Sequence, residues 1–116
     1  WRTRAKAAYN NGSFETALSD FTSAIEFEPD NYIHWSNRSA CYFMMERYEE
    51  ASSDGAHCVK LKPGMAKGYE RMSKAEFELG HFAKTAKLCR TGLKEEPGND
   101  ILNALLQKAV RKLPDS

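Results

Sequence analysis

Apolar positions recur along the chain at helical spacing, and the same order returns every 34 residues. Pro29, Pro63 and Pro97 stand 34 apart, and that step also links Trp1, Trp35 and Tyr69; Tyr9, Phe43 and Phe77; Phe14, Tyr48 and Phe82; and Ile25, Val59 and Leu93. Small residues keep the register in Ala17, Ala51 and Thr85 and in Ala24, Cys58 and Gly92. Columns matched in size and phase mark a repeat architecture. Each unit reads as two helices. In the first, Trp1, Ala5 and Ala8 share a face, Gly12-Ser13 breaks the pattern, and Phe14, Leu18, Phe21 and Ile25 form a second stripe. The second unit repeats this with Trp35, Ser39 and Tyr42, then Tyr48 and Val59. The third uses Tyr69 and Ser73, a break at Gly80, then Phe82, Ala86, Cys89 and Leu93. Pro29 cannot continue a helix, and Asp30 or Asn31 is placed to cap the next one.

After Pro97 the pattern changes. Asn99 or Asp100 can cap a helix carrying Ile101, Leu102, Leu105, Leu106, Ala109, Val110 and Leu113, and the opening aromatic is replaced by Asn103. A solenoid needs such a terminal helix to cover its last apolar face. The whole length is therefore expected to form one all-α superhelical domain over 1–116. Its repeats fall at about 1–31, 32–65 and 66–99, with a capping helix at about 100–113.

The 34-residue helix-turn-helix unit, with its aromatic near the start, its central Ala and its closing Pro, resembles the tetratricopeptide repeat. The resemblance runs from Trp1 to about Leu113. It implies a right-handed superhelix whose first helices line a concave groove.

Charge changes the picture at this point. Seventeen Lys+Arg against sixteen Asp+Glu leave a net charge of +1, which disfavours a general nucleic-acid or membrane-surface binder. The first helices, taken as 1–11, 32–45 and 66–79, hold seven basic residues (Arg2, Arg4, Lys6, Arg38, Lys67, Arg71, Lys74) and three acidic ones (Glu70, Glu76, Glu78), a balance of +4. The remaining ten basic and thirteen acidic residues balance at −3. A cationic groove favours an anionic ligand and speeds its encounter. Arg2, Lys6, Asn37, Lys67, Arg71 and Lys74 fall on one face of these helices, beside Tyr9, Ala40, Phe43, Met44 and Phe77.

Ser36-Asn37-Arg38-Ser39-Ala40 and Lys67-Gly68-Tyr69-Glu70-Arg71 resemble the carboxylate-clamp subfamily of tetratricopeptide domains, which bind the C-terminal Glu-Glu-Val-Asp tails of the seventy- and ninety-kilodalton heat-shock chaperones. The resemblance implies a clamp of Arg2, Lys6, Asn37, Lys67 and Arg71. Asn37, Lys67 and Arg71 match the subfamily pattern; Arg2 takes the place of a Lys, and Lys6 stands where the subfamily has Asn. Lys and Arg supply charge-assisted donors to a terminal carboxylate, and Asn adds a neutral donor. Asp54-Gly55 and Leu61-Lys62-Pro63 further resemble the first repeat module of the organising, or stress-inducible, co-chaperones, which favours a seventy-kilodalton chaperone tail.

Other chemistry is thinly represented. His34, His57 and His81 have no metal-ligand spacing and read as structural or solvated, so neither a metal site nor a cofactor is expected. Cys41, Cys58 and Cys89 form neither a disulfide framework nor a zinc pattern, and their odd number points to a reducing, cytoplasmic setting. No P-loop, G-x-G-x-x-G, G-x-S-x-G or H-E-x-x-H motif occurs, so the chain is read as a binding module, not an enzyme. The longest apolar run, Cys41 to Met45, is far short of the roughly 20 residues that span a bilayer. Starting at Trp1 with no Met, the chain reads as an excised domain. Besides the co-chaperone adaptor, two readings stay open. One is the same clamp appended to an enzyme or an import receptor; the other is a generic repeat scaffold for an internal peptide segment.

Overall fold

The computed structural model describes residues 13–114. The expected first helix at 1–11, with Trp1, Arg2, Arg4, Lys6 and Tyr9, lies outside them. Six helices follow one another among the described residues, and no strand occurs there: α1 (Phe14–Phe27), α2 (Tyr32–Met44), α3 (Tyr48–Leu61), α4 (Lys67–Glu78), α5 (Phe82–Glu95) and α6 (Asp100–Lys112). Each helix packs on its neighbours in sequence, with further contacts from α2 to α4 and from α4 to α6. Two complete hairpins, α2–α3 and α4–α5, thus stack in one direction, flanked by α1 and by the single helix α6.

The two kinds of turn alternate, and each has its own cause. Within a hairpin the helix closes through paired main-chain bonds. Arg47 N–H donates to Tyr42 O at 2.8 Å and Glu46 N–H to Phe43 O at 3.0 Å. His81 N–H donates to Glu76 O at 2.9 Å and Gly80 N–H to Phe77 O at 3.0 Å. This six-to-one plus five-to-two pattern needs a left-handed residue, supplied by Gly80 at φ 82° and by Glu46 at φ 60°. Glu46 occupies the column of Gly12 and Gly80, a position where the sequence shows no breaker. Between hairpins, Glu28, Lys62 and Glu96 end their helices and precede the three repeat prolines. Asn31 then caps α2 by accepting from Ile33 N–H at 3.0 Å, and Asn99 caps α6 by accepting from Leu102 N–H at 2.9 Å.

The core is built from small side chains in register. Ala17, Ala51 and Thr85 are fully buried, as are Cys41, Ala75 and Ala109, one from each successive unit. Small residues let the helix axes approach. The seam between α3 and α4 is close: a Cβ on Gly68 would lie 2.6 Å from Val59 Cγ2, and one on Gly55 would lie 2.8 Å from Met72 Cγ. At the end of the stack, Leu102 of α6 is fully buried against Ala66 and Cys89, with Tyr69, Leu93, Leu105 and Leu106 around it. Leu102 alone contributes about 2 kcal/mol by leaving water, and its burial makes α6 the cap of the solenoid. Asn103, in the aromatic column, donates through Nδ2 to Pro97 O at 3.3 Å, the same six-residue link that Trp35 Nε1 makes to Pro29 O at 2.8 Å.

Candidate functional site

The described candidates lie on α2 and α4. Asn37, Ala40 and Phe43 belong to α2; Lys67, Arg71, Lys74 and Phe77 belong to α4. Arg2, Lys6 and Tyr9 lie outside the described residues. Lys67, Arg71 and Lys74 follow one another at steps of four and three, which places them along one helical face. Arg71 is tied across to α2, its Nε donating to Ser36 Oγ at 3.2 Å, and Ser36 itself is buried. Beside this bridge a cleft of about 130 Å³ opens between the helices, lined by Ser39, Ala40, Phe43, Met44, Arg71 and Lys74. Its walls are apolar or hydroxylic, its charges are both positive, and no acid lines it among the described residues.

Electrostatics follow from that arrangement. Burial first, then the neighbouring Arg71, hold the Lys74 ammonium below the ordinary lysine value; Glu70 opposes this and Lys67 adds to it. A half-buried cation destabilised first by desolvation and then by like charges is stabilised when an anion comes beside it. The Cys41 thiol, pushed up to about 12 by burial against the opposing charge of Arg71, stays protonated and unreactive.

The structure refines the sequence reading in several respects. Of the first-helix charges, Arg38 is turned to the back of α2. Its Nε and Nη2 donate to Asp54 Oδ2 at 2.7 Å and Oδ1 at 2.9 Å, a bidentate pair with α3. Asp54, singled out for its resemblance, therefore holds a hairpin together. Glu70 and Glu76 are buried away from the cleft: Glu70 Oε2 accepts from Asn99 Nδ2 at 2.9 Å, and Glu76 is bonded to Ser52, His81 and Lys84. With Arg38, Glu70 and Glu76 engaged elsewhere, the charges that line the cleft among the described residues are those of Arg71 and Lys74. Lys67 stays near the surface, its Nζ 3.8 Å from Glu70 Oε1. Asn37 is half-buried on α2 and does not line the cleft. Phe43 reaches the cleft while also meeting Tyr48 edge to face at 5.2 Å. Phe77 meets Phe82 in the same geometry at 5.2 Å but is absent from the lining. Ser36 and Ser39 were not among the candidates; Ser36 stands four residues before Ala40 and Ser39 four before Phe43, which was the available signal.

No protein-family model matches the chain. Its backbone superposes on the second TPR domain of human RPAP3, solved in complex with the HSP70 peptide SGPTIEEVD, with a TM-score of 0.89 over 94% of this chain and 91% of that one, at 27% identity. The chain has the tetratricopeptide-repeat fold. It also resembles the first TPR of Spaghetti (RPAP3), bound to the HSP90 peptide SRMEEVD, with a TM-score of 0.89, 25% identity and coverage of 94% and 86%. In sequence, this domain is 39% identical over 110 residues to the Hsp70-Hsp90 organizing protein of Triticum aestivum, covering 95% of the chain. It spans 19% of that relative's length. No described helix of the domain is long and apolar enough to cross a membrane.

Proposed function

We propose that this domain is a co-chaperone adaptor module, binding the acidic C-terminal tail of a heat-shock chaperone in the cytoplasm and carrying out no catalysis itself. The observation that carries the reading is the placement of Arg71. It is held by Ser36 at the edge of an acid-free cleft, with Lys67 and Lys74 one turn to either side. A terminal Asp offers two carboxylates, and an Arg with one donor already fixed can aim the rest of its fork at one of them. Lys67 supplies a second charge and Asn37 a neutral donor from the facing helix, while Arg2 and Lys6 complete the clamp. Hydrogen bonds to charged groups contribute about 1.5–3 kcal/mol each. Several of them, less the cost of ordering the peptide, support a Kd near micromolar, about −8 kcal/mol. The names of the relatives speak for both chaperone classes. Asp54-Gly55 and Leu61-Lys62-Pro63 favour the seventy-kilodalton one.

The test is a titration with two labelled peptides ending in Glu-Glu-Val-Asp, one with a free C-terminus and one amidated. Binding of the free acid alone, weakening as salt is raised, is the expected result. Equal binding of both would replace the clamp with a scaffold for an internal peptide segment, a reading that Lys6 in place of the subfamily Asn favours.

A further inference from the structure

Taking the peptide reading above as its basis, we infer that Lys74 reads a specific acidic side chain, the one two residues before the peptide's C-terminus. Lys74 is not among the clamp residues that the family resemblance implies, yet it lines the cleft together with Arg71. The helix supplies a scale. At about 1.5 Å of rise per residue, Lys74 stands roughly 7.5 Å along α4 from the midpoint of Lys67 and Arg71. An extended peptide advances about 3.3 Å per residue and returns a side chain to the same face every second residue. With its terminal carboxylates between Lys67 and Arg71, a bound peptide whose preceding residues extend back toward the C-terminal end of α4 therefore brings its third-from-last side chain to Lys74. That side chain shares a face with the terminal one.

The surroundings fit an anionic occupant at this point. Ala40, Phe43 and Met44 wall the cleft without offering a counter-ion, and the nearest acids on α4, Glu70 and Glu76, are buried with other partners. Burial first, then the charges of Arg71 and Lys67, lowers the affinity of Lys74 for its proton, and a carboxylate beside it would restore that affinity.

The experiment uses the 116-residue chain and free-acid peptides ending in Glu-Glu-Val-Asp, Glu-Gln-Val-Asp and Gln-Glu-Val-Asp, each titrated against wild type and Lys74→Met. Wild type is expected to bind Glu-Gln-Val-Asp about fivefold more weakly than the parent peptide, and to lose under about twofold with Gln-Glu-Val-Asp. In Lys74→Met the parent and Glu-Gln-Val-Asp are expected to bind alike. An unchanged preference in Lys74→Met, or equal binding of the first two peptides by wild type, would overturn the assignment. The amidated parent peptide separates the two levels: if it binds as well as the free acid, the clamp itself has failed, whereas a strict need for the free acid leaves the clamp standing and tests Lys74 alone.

Discussion

Glu96 reaches back thirty residues in sequence, and its Oε2 accepts the main-chain N–H of Ala66 at 2.8 Å. The contact compensates for a missing cap. Asn31 and Asn99 bond the first turns of α2 and α6, but the residue in the same column before α4 is Met65, which has no side-chain acceptor for this purpose. A carboxylate at a helix N-terminus also meets the positive end of the helix dipole. The helix that carries Lys67, Arg71 and Lys74 is thus started by a residue of the next inter-hairpin turn.

Glu96→Ala is accordingly expected to cost about 1 kcal/mol of stability, the usual cost of a lost cap. Met65→Asn, which puts a local cap back, is expected to recover most of that loss in the Glu96→Ala background and much less in wild type. Urea midpoints of the four proteins give the coupling directly; additive effects would show that Glu96 is not acting as a cap.

Glu46 holds a left-handed conformation that its glycine counterpart at Gly80 adopts without strain. Glu46→Gly is expected to raise stability by about 0.5–1 kcal/mol, the relief of the Cβ clash outweighing the added freedom of the unfolded chain. Thermal melts decide it, and a lower melting temperature would show that Glu46 makes a compensating contact.

Arg71→Ala or Lys67→Ala is expected to weaken tail binding by more than about 1 kcal/mol while leaving the circular dichroism spectrum unchanged. Ser36→Ala should have a smaller effect in the same direction, because it frees the Arg71 fork without removing it. Wild-type affinity in Arg71→Ala would remove the groove reading altogether.

Lys74 links binding to stability with a definite sign. Its folded-state value is lowered below the ordinary 10.5, so the fold disfavours the charged form. That penalty is fully present below the lowered value and is relieved as pH rises toward 10.5. Lys74→Met should therefore melt higher than wild type at pH 7, and the gap should shrink with alkalinity. A variant that melts lower at pH 7 would show that packing of the lysine stem outweighs the charge.

On the acid side the relevant group is Glu76. Burial alone would push its carboxyl up, but hydrogen bonds from His81 and Lys84, and their charges, hold it below the ordinary 4.5. The resulting stability is present above 4.5 and is lost as pH falls through the lower folded value. Lys84→Met is expected to destabilise the domain at pH 7 and to make little difference at the acid end of a pH series of urea midpoints. A penalty that persists unchanged in acid would assign the effect to packing.

The fold was legible because the 34-residue register repeats in size as well as polarity, and helices that pair through Ala, Cys and Gly columns have few other ways to pack. Two kinds of feature escaped. The turn at Glu46 carries no glycine, so nothing in residue type announces its left-handed backbone. The allocation of charge between faces escaped for a different reason: helical periodicity locates Arg38, Glu70 and Glu76 on the first helices but does not reveal which neighbour holds their partners. Asp54, Asn99 and Lys84 sit on other elements, and only the packed arrangement brings them together. Lys67, Arg71 and Lys74 were accessible from spacing alone because all three share one helix.

The bare seam between α3 and α4 has a consequence for recognition. A Cβ on Gly55 would come within 3.1 Å of Arg71 Cβ, so the absence of a methyl group on the rear helix sets how far back the guanidinium is rooted. The gauge of the cleft is therefore fixed from outside it. Substitutions on the convex side, touching no ligand atom, can retune what the concave side admits.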